Sequence, residues 1–207
     1  MYSPLNRDAL DSTVTLVDTS AFGVPQTVIS FIRDDMKNTK IYSADDRLLY
    51  TVETDKATNT HTIVYREDSR DVVAEVKRKD LRPDKIKFAD SPALKLSDWL
   101  HGSNNKCPVS FEWRSVKYTW MTNSLKQIAL YKEDEQFSPI AWFQTSTKRI
   151  IDDVPTMYRA LLALQPAAQD ALDGIVISLL VVEYGLRLRG TRYGNADGRA
   201  AFKHCGV

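Results

Sequence analysis

The stretch LDGIVISLLVVEYGLRLR, residues 172–189, decides the fold. From Gly174 to Val182 its apolar side chains occupy every position around a helix axis, and Ser178 is the one polar interruption. Pro166 is well placed to open a helix, and the glycine that follows the stretch is well placed to end it. We therefore predict a helix at about residues 167–189 that is buried on every side. A long buried strand is the alternative, because valine and isoleucine favour strands.

The same stretch is too short to cross a membrane. A spanning helix needs ~20 predominantly apolar residues, whereas here the apolar run is bounded by Asp173 and Glu183. Either carboxylate would cost on the order of 2.5 kcal/mol in the hydrocarbon layer. We expect the helix to be buried in protein.

The rest of the chain is typical of strands. From about Thr27, short β-rich runs are separated by turn residues roughly every ten positions, as in β-sandwiches and barrels. The runs VVAEV (72–76) and VKYTW (116–120) alternate with period two, which indicates one buried and one wet face. A curved sheet that closes around a helix is the simplest way to bury it on all sides. The sequence thus predicts a mainly β fold, a closed or nearly closed antiparallel β-barrel of ten or more strands.

Length, composition and charge favour one globular domain. The 207 residues divide into a polar N-terminal arm (1–26), the barrel with its central helix (27–189) and a glycine-containing C-terminal tail (190–207). A net charge of +1 gives no overall attraction to nucleic acid. The N-terminus does not look like a secretory signal, and the two cysteines, Cys107 and Cys205, suit a reducing compartment, although one disulfide stays open. We expect a cytoplasmic protein that could also associate with the membrane periphery.

Seven motifs carry a resemblance to a known group. They are LLYTVET (48–54), THTIVYR (60–66), VVAEV (72–76), DKIKF (84–88), VKYTW (116–120), PIAWF (139–143) and LDGIVISLLVVEYGLRLR (172–189). In this order they resemble the fungal, chiefly mushroom-type, family of uncharacterised domains that is similar to the Tubby-like, phospholipid-scramblase and LURP-one-related barrels. The resemblance covers roughly Thr39 to Arg189 and implies about 12 strands threaded by the helix. The fungal group has no established activity. Its better-known relatives bind phosphoinositides or are linked to lipid movement, so the resemblance implies a role at lipid.

No catalytic, metal-binding or nucleotide-binding constellation stands out in the sequence. His61, His101 and His204 lie in different segments without metal-ligand spacing, and there is no glycine-rich phosphate loop or nucleophile elbow. The acidic runs at 133–135 and 152–153 are interpreted as surface turns and not as catalytic pairs, because neighbours on a strand point to opposite faces. We therefore predict no metal and no cofactor.

One local charge feature remains, the segment KRKDLRPDKIK at residues 77–87. Its candidate anion-binding residues are Lys77, Arg78, Lys79, Arg82, Lys85 and Lys87. Against two aspartates their excess is 6 − 2 = +4. The segment joins two strands, so the cations could gather at a hairpin end and bind an anionic, phosphoinositide-like headgroup. The alternative is a solvated rim that keeps a barrel edge from aggregating.

Three functions follow from these patterns. The first is a non-catalytic binding module that docks peripherally on anionic membrane lipid. The second is a structural or protein-interaction domain without a small ligand. The third is an enzyme whose site is assembled from strand ends at the rim, since a barrel filled by its own helix leaves little room inside.

Overall fold

The computed structural model describes residues 24–79, 83–89, 91–103, 106–122, 127–135, 137–151 and 153–193. The strands are β1 (Thr27–Phe31), β2 (Thr39–Tyr42), β3 (Leu48–Thr54), β4 (His61–Arg66), β5 (Val72–Lys77), β6 (Lys85–Phe88), β7 (Leu94–Lys95), β8 (Leu100–Ser103), β9 (Lys106–Trp113), β10 (Val116–Thr122), β11 (Ile128–Lys132), β12 (Ala141–Gln144), β13 (Thr147–Ile151), β14 (Val154–Tyr158) and β15 (Ala160–Leu164). The helices are α1 (Leu96–Trp99), a 3-10 helix (Pro166–Ala171) and α2 (Leu172–Tyr193).

Thirteen strands form one antiparallel sheet in the order β7-β6-β5-β4-β3-β2-β1-β15-β12-β11-β10-β9-β8. Most neighbours in space are neighbours in sequence, because hairpins connect them. The exceptions both involve β15, which pairs with β12 on one side and with β1 on the other. The β1 pairing runs over Thr27↔Leu164 to Phe31↔Ala160 and joins the two halves of the chain. Strands β13 and β14 form a separate two-stranded sheet. The mainly β prediction is confirmed.

The predicted helix is present as α2 and its apolar centre is buried, so the long-strand alternative is wrong. Its residues from Ile175 to Val182 are at most 4% exposed. Ser178 is satisfied inside the core, because its hydroxyl accepts from the Trp120 indole Nε1 at 2.9 Å and donates to the carbonyl of Ile175 at 3.0 Å. The 3-10 helix opens at Pro166 and passes directly into α2. Within the described residues, no helix combines the length and apolarity needed to cross a bilayer.

The prediction of a closed barrel is only partly right, because hydrogen bonds do not close the sheet. Within the described residues no ladder joins the edge strands β7 and β8. The four-residue helix α1 lies between them in the chain. Backbone groups in a helix form hydrogen bonds within the helix and are not free to pair with a neighbouring strand. The Leu96 amide of α1 still donates to the carbonyl of Asp84 at 2.8 Å, which ties the helix to the neighbourhood of β6.

Aromatic side chains bridge this open seam. Phe88 of β6 packs edge-on against Trp99 of α1, with ring centroids 4.9 Å apart, and against Trp113 of β9 at 5.4 Å. Trp99 reaches Phe111 of β9 at 5.5 Å and donates from its indole nitrogen to the carbonyl of Glu112 at 3.2 Å. Such ring pairs contribute about 0.5–1.5 kcal/mol each beyond burial. The two edges are therefore held together by packing in place of strand pairing.

A second apolar cluster lies on the face of the sheet away from α2. It contains Ala129, Tyr131, Trp142, Leu161 and Ala163. Trp142 lies in this second cluster, whereas Trp120 belongs to the helix-facing core. Alternation explains the difference, because Ala141 and Phe143 take the inner positions of β12.

Candidate functional site

Three lysines face one another across neighbouring strands at the edge of the sheet. The register pairs Lys77 of β5 with Lys85 of β6, and Lys85 with Lys95 of β7. Directly opposite residues project from the same face with Cβ atoms about 4.5–5.5 Å apart, and all three residues are exposed. On the other side of Lys77 the row continues to His61 of β4. We call Lys77, Lys85 and Lys95 the lysine row.

The lysine row has one carboxylate beside it. Glu75 accepts a hydrogen bond from His61 Nε2 at 3.0 Å and lies 3.5 Å from Lys77 Nζ. Burial opposes its ionisation, but the His61 hydrogen bond and the Lys77 charge hold the pKa of Glu75 below its usual value. Lys87 stands directly opposite Glu75 on β6. Four lysines against one glutamate leave 4 − 1 = +3 on this outer face.

Arg78, one of the predicted anion-binding residues, points inward instead. Its Nη1 donates to Thr62 Oγ1 at 2.9 Å, and its guanidinium lies 4.2 Å from the ring centroid of Tyr184 on α2. Burial lowers its pKa. A guanidinium stacked on an aromatic ring and hydrogen-bonded is already engaged. Arg78 therefore anchors the end of α2 to β5.

The three other predicted residues have three different placements. Lys79 is exposed just beyond β5, where its amide donates to Asp84 Oδ1 at 3.0 Å. Lys87 is half-buried on β6. Arg82 lies outside the described residues. Of the six candidates, the structure thus brings Lys77 and Lys85 together and adds Lys95, which the sequence reasoning missed.

The lysine row lies toward the C-terminal end of α2. Lys77 is adjacent to Arg78, which covers Tyr184, and Lys37 also lies over that ring at 5.1 Å. The same end of the helix is fixed by Arg187, which donates to Glu183 at 2.8 Å and to the carbonyl of Asp34 at 2.6 Å. Arg187 is therefore a structural anchor of this end of α2.

The opposite end of α2 is tied by a different carboxylate. Asp173 accepts from the Tyr50 hydroxyl at 2.6 Å and pairs with Arg66. Tyr50 and Arg66 are direct partners on β3 and β4, so both reach the same point. Burial and the hydrogen bond to Asp173 raise the pKa of Tyr50. A carboxylate in the first turn is also favoured by the helix dipole.

The cavities offer less chemistry than the lysine row. An open groove of about 490 Å³ lies along β1 to β3, and its charged lining residues are Arg33, Lys40, Glu53 and Lys56. A smaller one of about 130 Å³ lies over β9 to β11. Within the part of the chain that the structure describes, no cluster of histidine, cysteine or acidic residues could hold a metal ion.

A family model described as "Family of unknown function (DUF6593)" matches residues 34–188, from just before β2 to near the end of α2. The chain belongs to the DUF6593 family. No curated protein matches this DUF6593 chain. Among solved structures, it is similar to the X-ray structure of a protein from Arabidopsis thaliana, with 12% sequence identity, a TM-score of 0.41, and coverage of 78% of this chain and 94% of that one. The comparisons give no support for the fungal or Tubby-like part of the resemblance.

Proposed function

We propose that this DUF6593 domain is a non-catalytic binding module that docks peripherally on anionic membrane lipid through the lysine row. The observation that carries the proposal is the register Lys77↔Lys85↔Lys95, which sets three cations directly opposite one another on an exposed face. Like charges in opposite positions destabilise a sheet. An anionic surface would relieve that repulsion and turn it into attraction.

Protection of the sheet edge does not explain the whole row. A lysine on an edge strand deters pairing with another chain, and Lys95 on β7 fits that use. Lys77 lies on β5, the third strand from the edge, where no such protection is needed. A row that extends inward across three strands fits a flat anionic partner better than it fits an edge guard.

The expected strength follows from the number of cations. Each lysine near an anionic bilayer contributes about 1 kcal/mol, so three contribute roughly 3 kcal/mol, or about a hundredfold in affinity. A cytoplasmic protein would meet such a surface at the inner leaflet, which carries anionic lipids. Because the attraction is between exposed charges, it should weaken as salt shortens the Debye length.

The test is binding to vesicles of neutral phosphatidylcholine, with and without phosphatidylserine or a phosphoinositide, measured by co-sedimentation. The wild type should bind only the anionic vesicles, and the triple variant Lys77→Gln, Lys85→Gln, Lys95→Gln should bind about a hundredfold more weakly. The matched control is Arg70→Gln, Arg114→Gln, Lys117→Gln. It removes the same charge from exposed positions toward the Asp173 end of α2.

Two results would overturn the proposal. One is a wild type that fails to bind anionic vesicles at low salt. The other is an equal loss of binding in the control variant, which would mean that overall charge, and not the lysine row, governs the attraction. A stronger response to the phosphoinositide than to phosphatidylserine at equal charge would identify the preferred headgroup within the same proposal.

A further inference from the structure

The hairpin β13–β14 exposes apolar side chains on one face. Ile150 is 74% exposed and Met157 is 66% exposed, which is unusual for large apolar residues in ordered strands. The register pairs Lys148 with Met157 and Ile150 with Pro155. Residues two apart on a strand and residues directly opposite share a face, so Lys148, Ile150 and Met157 project from the same side. Lys148 is also exposed.

The base of the hairpin lies near the C-terminal end of α2, the same end of the domain as the lysine row. Ser146, which directly precedes β13, donates to Asp34 Oδ2 from its amide at 2.9 Å and from its hydroxyl at 2.7 Å. Asp34 also pairs with Arg187, near the C-terminal end of α2. Tyr184, one helical turn earlier, lies under Arg78, the neighbour of Lys77. A continuous set of contacts therefore links the base of the hairpin to the strand on which the row begins.

We propose that this face of the hairpin inserts Ile150 and Met157 into the interfacial layer of the same anionic bilayer that the lysine row binds. The inference rests on the proposed function. Exposed apolar side chains beside a cation form the pattern by which peripheral proteins embed in the boundary between headgroups and acyl chains. Charge complementarity selects a bilayer as the occupant, because Lys148 and the lysine row both favour an anionic surface.

The chemistry of the hairpin also sets its orientation. Asp153 is exposed at the turn between β13 and β14, with φ of 62°, and a carboxylate is disfavoured in the hydrocarbon layer. The hairpin therefore lies with its face toward the membrane, and its tip stays among the headgroups and water. Ile150 and Met157 then enter only to the depth of their own side chains.

The experiment compares apolar and polar side chains at the two positions. The variant Ile150→Ser, Met157→Ser should partition about tenfold to a hundredfold more weakly onto phosphatidylserine-containing vesicles, because it loses the two apolar side chains that the bilayer would bury. The variant Ile150→Leu, Met157→Leu keeps the apolar surface and should bind like the wild type. Both positions are exposed, so neither pair of substitutions disturbs the core.

A fluorescent probe reports insertion directly. An environment-sensitive dye is attached to Ile150→Cys in a Cys205→Ser background, since Cys107 is buried. Its emission should shift to the blue on anionic vesicles, while the same dye at Glu133→Cys, an exposed position on the Asp173 side of the domain, should not shift.

The outcomes separate this inference from the proposed function. If the wild type binds anionic vesicles and the lysine-row variant does not, while the serine variant binds normally and the dye at position 150 stays in water, the inference is refuted and the proposed function stands. If the wild type binds no vesicles, both are refuted. Blue-shifted emission together with weakened binding of the serine variant supports insertion.

Discussion

Replacing the middle lysine of the row, Lys85→Gln, should make the protein more stable and a poorer membrane binder at the same time. Lys85 stands directly opposite Lys77 on one side and Lys95 on the other. Its removal therefore relieves two repulsions in one step. Surface substitutions usually change stability by less than half a kcal/mol in either direction, so a consistent gain would be diagnostic.

The size of the gain follows from Coulomb's law. Two ammonium groups ~6 Å apart in water repel by ~0.7 kcal/mol, and screening at physiological salt, where the Debye length is about 8 Å, roughly halves this. Two such pairs give about 0.6–0.7 kcal/mol, which corresponds to a rise of about 1–2 °C in Tm for a domain of this size. Lys85→Glu should gain about twice as much, because attraction replaces repulsion. Binding to anionic vesicles should fall about fivefold for Lys85→Gln.

The assay is urea unfolding at low and high salt, with the midpoint and slope compared between variants. The gain should disappear near 1 M salt, where the Debye length falls to about 3 Å. The control is Lys106→Gln, because Lys106 is exposed and its direct partner in the described ladder is the uncharged Ser103. A loss of stability in Lys85→Gln, or a gain that survives high salt, would show that the row does not repel itself and would remove the main support for the proposed site.

Three further predictions concern the core and the acid response. Gly174→Ala should lower the urea midpoint by the equivalent of about 1–2 kcal/mol. The added methyl would lie 2.6 Å from Cδ2 of Trp113, and this overpacking outweighs the ~1 kcal/mol by which alanine is the better helix former. A raised midpoint would contradict the prediction. Ser178→Ala should cost about 1–3 kcal/mol in the same assay by leaving the indole N–H of Trp120 unpaired in the core, and an unchanged midpoint would count against that bond. The pKa of Glu75 is depressed in the folded protein, so its carboxylate stabilises the fold at any pH above the usual pKa of 4.5. This stabilisation is lost as the pH falls through the lowered pKa. Glu75→Gln should therefore show a flatter decline of stability with acid, and a parallel decline would refute it.

The central features of the fold could be predicted because each leaves a local signature. From Ile175 to Val182 helix α2 has no face for water, so the sequence alone indicates a fully enclosed stretch of helix. Strands with one wet face carry period-two alternation, and the predicted VKYTW strand agrees with β10. The strand β8 leaves a weaker signature, because Gly102 and Ser103 are residue types typical of turns. In the structure Gly102 has φ of +110° at a register shift, and a Cβ there would lie 2.7 Å from the carbonyl oxygen of Pro108.

The hairpin β13–β14 was not predicted, because it lacks the alternation that marks a strand with one buried face. It belongs to a two-stranded sheet separate from the main one and exposes Ile150 and Met157, so its sequence shows no clean alternation of apolar and polar residues. The open seam between β7 and β8 could not be predicted from the sequence either, because aromatic side chains from distant segments hold the two edges together. Sequence periodicity reports on the environment of one strand and carries no information about which edges meet.

The candidate site was predictable only where register is local. Lys77 and Lys85 flank one hairpin, so their proximity could be inferred from the segment that joins them. Lys95 enters through the next strand pairing, which depends on the exact register of β6 and β7. Arg78 was assigned to the same surface as its neighbours, but its direction is set by Tyr184 on the distant helix.

A surface that repels itself requires stability from elsewhere, and the two ends of α2 supply it. Asp173 binds Tyr50 and Arg66 at one end, and Arg187 binds Glu183 and Asp34 at the other, so the helix is fixed to the sheet on both sides of its dry centre. These pairs are partly withdrawn from water, where salt screens them less than it screens the exposed lysines. The core can therefore keep the β5–β7 edge ordered at ionic strengths that change its charge interactions. This division allows the lysine row to respond to an anionic surface without unfolding the domain that presents it.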